Sequence, residues 1–181
     1  MSQKYRYAAL IRGINVGGNS LIKMTELQKL FELAGLTDIS TYIQSGNVIF
    51  STMEIDRGEL AHQLELKVSD LVSSQVRVFL FTQAELKEAA ANNPFDCAVK
   101  DEEQACHLMF LSSPPDPARR KALLAMEGEE YKFYITDKAL YYAYPRTLAA
   151  NRRNINFEKV LGVAGTSRTW KVVDKLIELL D

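Results

Sequence analysis

The chain has 181 residues, 47% hydrophobic and 25% charged, with a formal net charge of -1. That length suits one large domain or two small ones, and the balance of apolar and charged residues is that of a folded globular chain. Near-zero charge excludes a global field for nucleic acid or anionic membrane, and two cysteines are too few for a disulfide framework. No apolar run approaches the length of a membrane helix, and Tyr5–Ile11, which ends at Arg12, does not read as a signal peptide. The expected compartment is the cytoplasm.

Tyr5–Ile11 reads as a buried first strand, followed by the glycine-rich stretch Arg12-Gly13-Ile14-Asn15-Val16-Gly17-Gly18-Asn19-Ser20. Leu27, Leu30, Phe31 and Ala34 recur at helical spacing and Gly35 closes that helix. Ile39–Gln44 and Val48–Ser51 read as strands about the turn Ser45-Gly46-Asn47. Asp56 caps a second helix with the apolar stripe Leu60, Leu64, Val68 and Leu71, and Val76–Phe81 is a fourth strand. The order βαββαβ is that of a ferredoxin-like unit.

Thr82 and Glu85 form a capping box for a third helix, which Asn92-Asn93-Pro94 ends. The charged stretch Asp96–Gln104 marks the expected boundary, giving domains 1–95 and 96–181. Ala105–Leu111, a helix after Pro114-Pro115-Asp116-Pro117, and the pair Tyr131–Thr136 and Ala139–Tyr144 repeat the βαββ order. A short helix near Asn156–Leu161 and a long one over Thr166–Leu180 complete the chain, so the second unit reads as degenerate. The fold class is therefore α+β, two successive ferredoxin-like (βαββα) subdomains with a C-terminal helix.

In such a unit the first and second strands run parallel, so the loop leaving one and the hairpin leaving the other emerge together. This gathers Arg12, Asn15, Gly17, Gly18, Lys23, Gln44, Ser45 and Asn47 at one end of the first sheet. Backbone amides at a helix start, glycines and two cations suit an anion. The same residues also serve a tight turn and a hairpin, and the loop matches neither the P-loop nor the dinucleotide fingerprint. The expected ligand is an anionic, phosphorylated small molecule or nucleotide.

The segments Arg12-Gly-Ile-Asn-Val-Gly-Gly18, Lys23-Met24 and Thr41-Tyr42-Ile43-Gln44-Ser45-Gly46-Asn47-Val48-Ile49-Phe50 resemble the bacterial domain-of-unknown-function family numbered 1697. Asn93-Pro94-Phe95, Val160-Leu161-Gly162 and Thr166-x-Arg168-x-Trp170 extend the resemblance through the chain. It implies two ferredoxin-like subdomains and carries no activity. The family's glycine- and Ser-Lys-containing stretch is replaced here by residues 145–154, where Arg152 or Arg153 could stand in for the lysine.

No other chemistry reaches the strength of this site. His62, His107, Cys97 and Cys106 lack metal-ligand spacing, so neither metal nor cofactor is expected. No G-x-S-x-G elbow or defensible acid–base pair is present. Tyr131, Phe133, Tyr134, Tyr141, Tyr142 and Tyr144 precede a basic stretch, the pattern of single-stranded nucleic-acid binding, although cross-strand packing is the favoured explanation. A protein-interaction module without a small ligand is the third alternative. Arg168, expected in the first turn of the last helix against its dipole, suggests an anionic partner and joins the candidate ligand residues.

Overall fold

A computed structural model describes residues 4–15, 21–53, 56–95, 104–148 and 155–181. The chain divides into two compact units, Met1–Lys87 with Leu176–Asp181, and Glu88–Lys175. Each is an α+β unit on its own four-stranded antiparallel sheet.

The first unit contains β1 (Tyr5–Arg12), α1 (Met24–Leu33), β2 (Thr37–Tyr42), β3 (Asn47–Thr52), α2 (Arg57–Val72) and β4 (Arg77–Phe81), with sheet order β2-β3-β1-β4. Strand alternation sends Tyr7, Ala9, Ile11, Val48, Phe50, Val78 and Leu80 to one face. There they pack on Leu27 and Phe31 of α1 and Leu60, Leu64 and Val68 of α2, all in one buried cluster. Phe31 meets Phe50 edge-on at 5.5 Å. Asp56 caps α2 as expected, its Oδ1 accepting from Glu59 N at 3.0 Å. Leu71 departs from the expected stripe and is half exposed.

Pairing fixes the ends of this sheet. Asn47 lies opposite both Leu10 and Tyr42, and Arg12 lies opposite Arg77. The chain leaves that end from Arg12 into α1, and returns to it from α2 into Arg77. The two helices therefore run antiparallel, with the start of α1 beside the end of α2.

The second unit contains part of α3 (Gln83–Ala91), then β5 (Gln104–Leu111), α4 (Pro117–Leu124), β6 (Lys132–Ile135), β7 (Ala139–Pro145), α5 (Phe157–Leu161), β8 (Gly165–Thr169) and part of α6 (Trp170–Leu179). Its sheet order, β6-β7-β5-β8, repeats the first. The expectation of one helix over Thr166–Leu180 is corrected here. Residues 165–169 form the fourth strand, paired with β5 from His107↔Thr169 to Leu111↔Gly165, and the helix begins only at Trp170. Gly165 permits this approach, since a Cβ there would lie 2.7 Å from Phe110 O. The second unit is thus a complete βαββαβ repeat.

The C-terminal end of α6 belongs to the first unit. Gln83 Nε2 donates to Ile177 O at 3.0 Å and to Asp181 Oδ1 at 3.2 Å, and Arg6 donates to Leu179 O at 2.9 Å. No described helix is long and apolar enough to cross a membrane.

Candidate functional site

Two segments meet at the Arg12 end of the first sheet, and a single side chain ties them. Asn15 Nδ2 donates to Ile22 O at 3.1 Å and to Gln44 O at 3.0 Å, while its Oδ1 accepts from Ile22 N at 2.9 Å. Beneath it, Ile11 N donates to Gly46 O at 2.7 Å, and Ile14 is buried in the core. Gly46 must be glycine: its φ is +73°, and a Cβ would lie 2.9 Å from both Ile11 O and Ile14 Cδ1.

The hairpin closes on Asn47, which is fully buried. Its amide donates to Tyr42 O at 3.1 Å and to Ser45 Oγ at 2.8 Å. These bonds place the turn over residues 43–46 and end β2 at Tyr42, two residues before the expected Gln44. Asn47 therefore orients the hairpin. Asn15 likewise spends both amide hydrogens and its oxygen on backbone groups.

The backbone at this end is left-handed at four places: Gly13 (φ 93°), Asn15 (54°), Ile43 (48°) and Gly46 (73°). Glycine and asparagine tolerate that region; a β-branched residue does not. Ile43 is held there although its side chain is 49% exposed, so no burial of that side chain repays the strain.

Around this frame Lys23, Gln44 and Ser45 are exposed and Arg12 is half-buried. Lys23 precedes the first residue of α1, and its backbone N–H donates to Glu26 Oε2 at 3.1 Å. Arg12 and Arg77 face each other across β1 and β4, concentrating positive charge on one side of the sheet end. Arg77 also lies 3.8 Å from Glu65. Gly17 and Gly18 lie outside the described residues, as do Cys97, Arg152 and Arg153.

Arg168 belongs to the second unit. It sits in β8 of the second unit, opposite Leu108, and is 8% exposed. Its Nη1 donates to Thr166 Oγ1 at 2.8 Å and to Ser167 O at 2.9 Å, and burial lowers its pKa to about 10. The argument from a helix dipole falls with the helix turn that was expected there.

The aromatic hairpin is packed inward. Tyr131, Phe133, Tyr141, Tyr142 and Tyr144 are all buried, leaving Tyr134 as the exposed ring of the six. Phe157 meets Tyr142 at 4.7 Å and Phe133 at 5.8 Å, while the Tyr141 hydroxyl donates to Ala89 O at 2.8 Å. His107 lies stacked on Tyr142 at 4.9 Å, and Cys106, which is disulfide-bonded, packs with Ala143, Phe95 and Trp170. Among the described residues no group of three or more His, Cys, Asp or Glu is placed to hold a metal ion.

The left-handed Ile43 is the feature that sequence reasoning missed at this site. Backbone handedness at a non-glycine residue has no local signature; here it follows from Asn47 closing the turn.

The conserved bacterial protein SP0830 from Streptococcus pneumoniae has a similar structure, with a TM-score of 0.73 and 22% sequence identity. The similarity covers 99% of this chain and 100% of that one, and it shows the shared fold. No curated protein matches. The family model described as "Protein of unknown function (DUF1697)" matches residues 5–141, which include the candidate residues at the Arg12 end of the first sheet, and the chain belongs to that family.

Proposed function

We propose that the protein binds, or acts on, an anionic, phosphate-bearing small molecule or nucleotide at the Arg12 end of the first sheet. The observation that carries this reading is Ile43, an exposed β-branched residue kept in left-handed backbone by a turn that Asn47 closes, beside a loop clamped by Asn15. Local strain of this kind costs about 1–3 kcal/mol and collects where a rigid loop must meet a ligand. The charge at hand is cationic, from Arg12, Arg77 and Lys23, and Gln44 and Ser45 supply exposed polar groups.

The test is a thermal-shift and calorimetric screen with nucleotides and phosphorylated metabolites, repeated with Lys23→Ala. A ligand at about 100 times its dissociation constant adds roughly 2.7 kcal/mol of stability. Binding lost in Lys23→Ala, with the melting temperature of the free protein unchanged, is the expected result. Binding that persists in the variant, or a blank across the panel, overturns it.

The reading places the protein in the cytoplasm. The disulfide at Cys106 is the observation that opposes this compartment, because structural disulfides persist in oxidising ones. Thiol trapping in intact cells decides: a reduced Cys106 supports the cytoplasm and an oxidised one refutes it.

A further inference from the structure

The residue held in strained backbone at the Arg12 end is an isoleucine, which has no group to offer a phosphate. Ile43 keeps its φ of 48° although it is half exposed. A second aliphatic residue, Leu21, is 72% exposed, and the Asn15 clamp brings the two segments together. Asn15 Nδ2 donates to both Ile22 O and Gln44 O, so those carbonyl oxygens lie within about 6 Å of each other. Leu21 and Ile43 each precede one of them by a single residue.

Positive charge stands beside this aliphatic pair. Leu21 and Lys23 are exposed, while Ile22 between them is buried in the core of the first unit. Lys23 has extended backbone, with φ -72° and ψ 141°. In extended chain alternate side chains share a side and their Cα atoms are about 6.5 Å apart, so Leu21 and Lys23 leave the core together.

We infer that the ligand of this end is a nucleotide, its phosphate at Lys23 and its base against Leu21 and Ile43. The inference rests on the reading of this end as a phosphate site and narrows that reading to one class. A sugar phosphate is polar on every side, and covering two aliphatic side chains with it strips its own groups of water without a partner in return. A nucleotide joins an anionic group to a base with apolar faces, through a ribose that spans a distance like that between Leu21 and Lys23. Gln44, exposed next to Ile43, carries both a donor and an acceptor for the polar edge of a base. Because the frame is set before the ligand arrives, little ordering cost is left to binding. An anionic bilayer also joins phosphate to apolar material, but a chain of net charge -1 has no general field to hold it there.

The test is calorimetry on the full-length protein with the four nucleoside mono- and triphosphates. Ribose 5-phosphate and inorganic tripolyphosphate serve as matched probes without a base. At least one nucleotide is expected to bind about tenfold more tightly than its base-free match. Ile43→Asn keeps a residue that tolerates left-handed backbone and replaces the aliphatic surface by a polar one. Ile43→Asn and Leu21→Ser should each weaken that nucleotide about fivefold and leave the base-free probe unchanged, whereas Lys23→Ala should weaken both.

Base-free probes that bind as tightly as nucleotides overturn the inference and leave the phosphate reading standing. Nucleotide affinity that ignores both aliphatic substitutions overturns it as well. A blank on every soluble probe removes both readings, and binding confined to phosphatidylserine vesicles replaces the nucleotide with a membrane. If thermal melting shows that one aliphatic variant does not fold, the other decides.

Discussion

Replacing Asn15 tests whether one side chain holds the two segments of the site together. Asn15→Ala removes the bonds to Ile22 O, Gln44 O and Ile22 N. Each is worth about 0.5–1.5 kcal/mol net, and because the Gln44 bond is exposed, water replaces part of it, so the loss comes to about 2 kcal/mol. Alanine must also adopt the φ of 54° that asparagine tolerates, which adds about 1 kcal/mol. Asn15→Gly loses the same bonds without that penalty. The expected costs are therefore about 3 kcal/mol for alanine and about 2 kcal/mol for glycine. In urea, with a slope near 2 kcal/mol/M, the midpoints should fall by about 1.5 M and 1 M. Two units need not unfold in one transition, so amide exchange at Ile22 is followed alongside as the local probe. A cost below about 0.5 kcal/mol for alanine, or glycine no better than alanine, would refute the clamp.

Gly46→Ala should destabilise by about 2–4 kcal/mol, because its Cβ would meet backbone Ile11 O at 2.9 Å in a left-handed conformation; thermal melting reads the loss. Ile43→Gly should instead stabilise the fold by about 1 kcal/mol in urea unfolding, through relief of its left-handed backbone. Burial pushes the Tyr141 pKa up to about 12, from the ordinary tyrosine value of about 10. Its stabilising contribution is therefore complete below pH 10 and lost as pH rises from there towards 12, which spectroscopic titration of wild type against Tyr141→Phe will show. Burial raises the Glu85 pKa, but hydrogen bonds from Arg57 and Thr82 outweigh it and the net direction is down. The contribution of Glu85 is present above the ordinary carboxylate range and lost as pH falls through its lowered pKa. Because the pair is more than a third exposed, removing it in Arg57→Ala should cost below 1 kcal/mol in urea unfolding.

The first unit was legible because its local and tertiary signals agree. The stripe Leu60, Leu64 and Val68 has one buried face to satisfy, and Asp56 and the Thr82–Glu85 box cap the helices that the sequence assigns to them. The site was legible only as a neighbourhood. Topology places the two loops together, but which amides face a ligand depends on where each hydrogen bond goes. Asn15 and Asn47 have the composition of ligand-binding side chains and the connections of loop struts.

Residues 165–169 show why the second half was harder to read. Gly-Thr-Ser-Arg-Thr offers Thr and Ser, which cap helices well, immediately before the apolar spacing of α6, so a local reading starts the helix there. The same residues are also acceptable on a strand, and what decides is the free edge of β5. Left uncovered, that edge would expose the amides and carbonyls of His107–Leu111; pairing with β8 satisfies them. That tertiary demand exceeds the few tenths of a kcal/mol by which local preference separates the two states. It also changes what Arg168 means. On a helix its charge would oppose a dipole and call for an anion; on β8 it faces the side of Leu108, with Thr166 Oγ1 and Ser167 O as acceptors. The dipole argument for Arg168 therefore falls, whereas the first unit's Arg12, Lys23, Gln44 and Ser45 keep the frame that Asn15 and Asn47 give them.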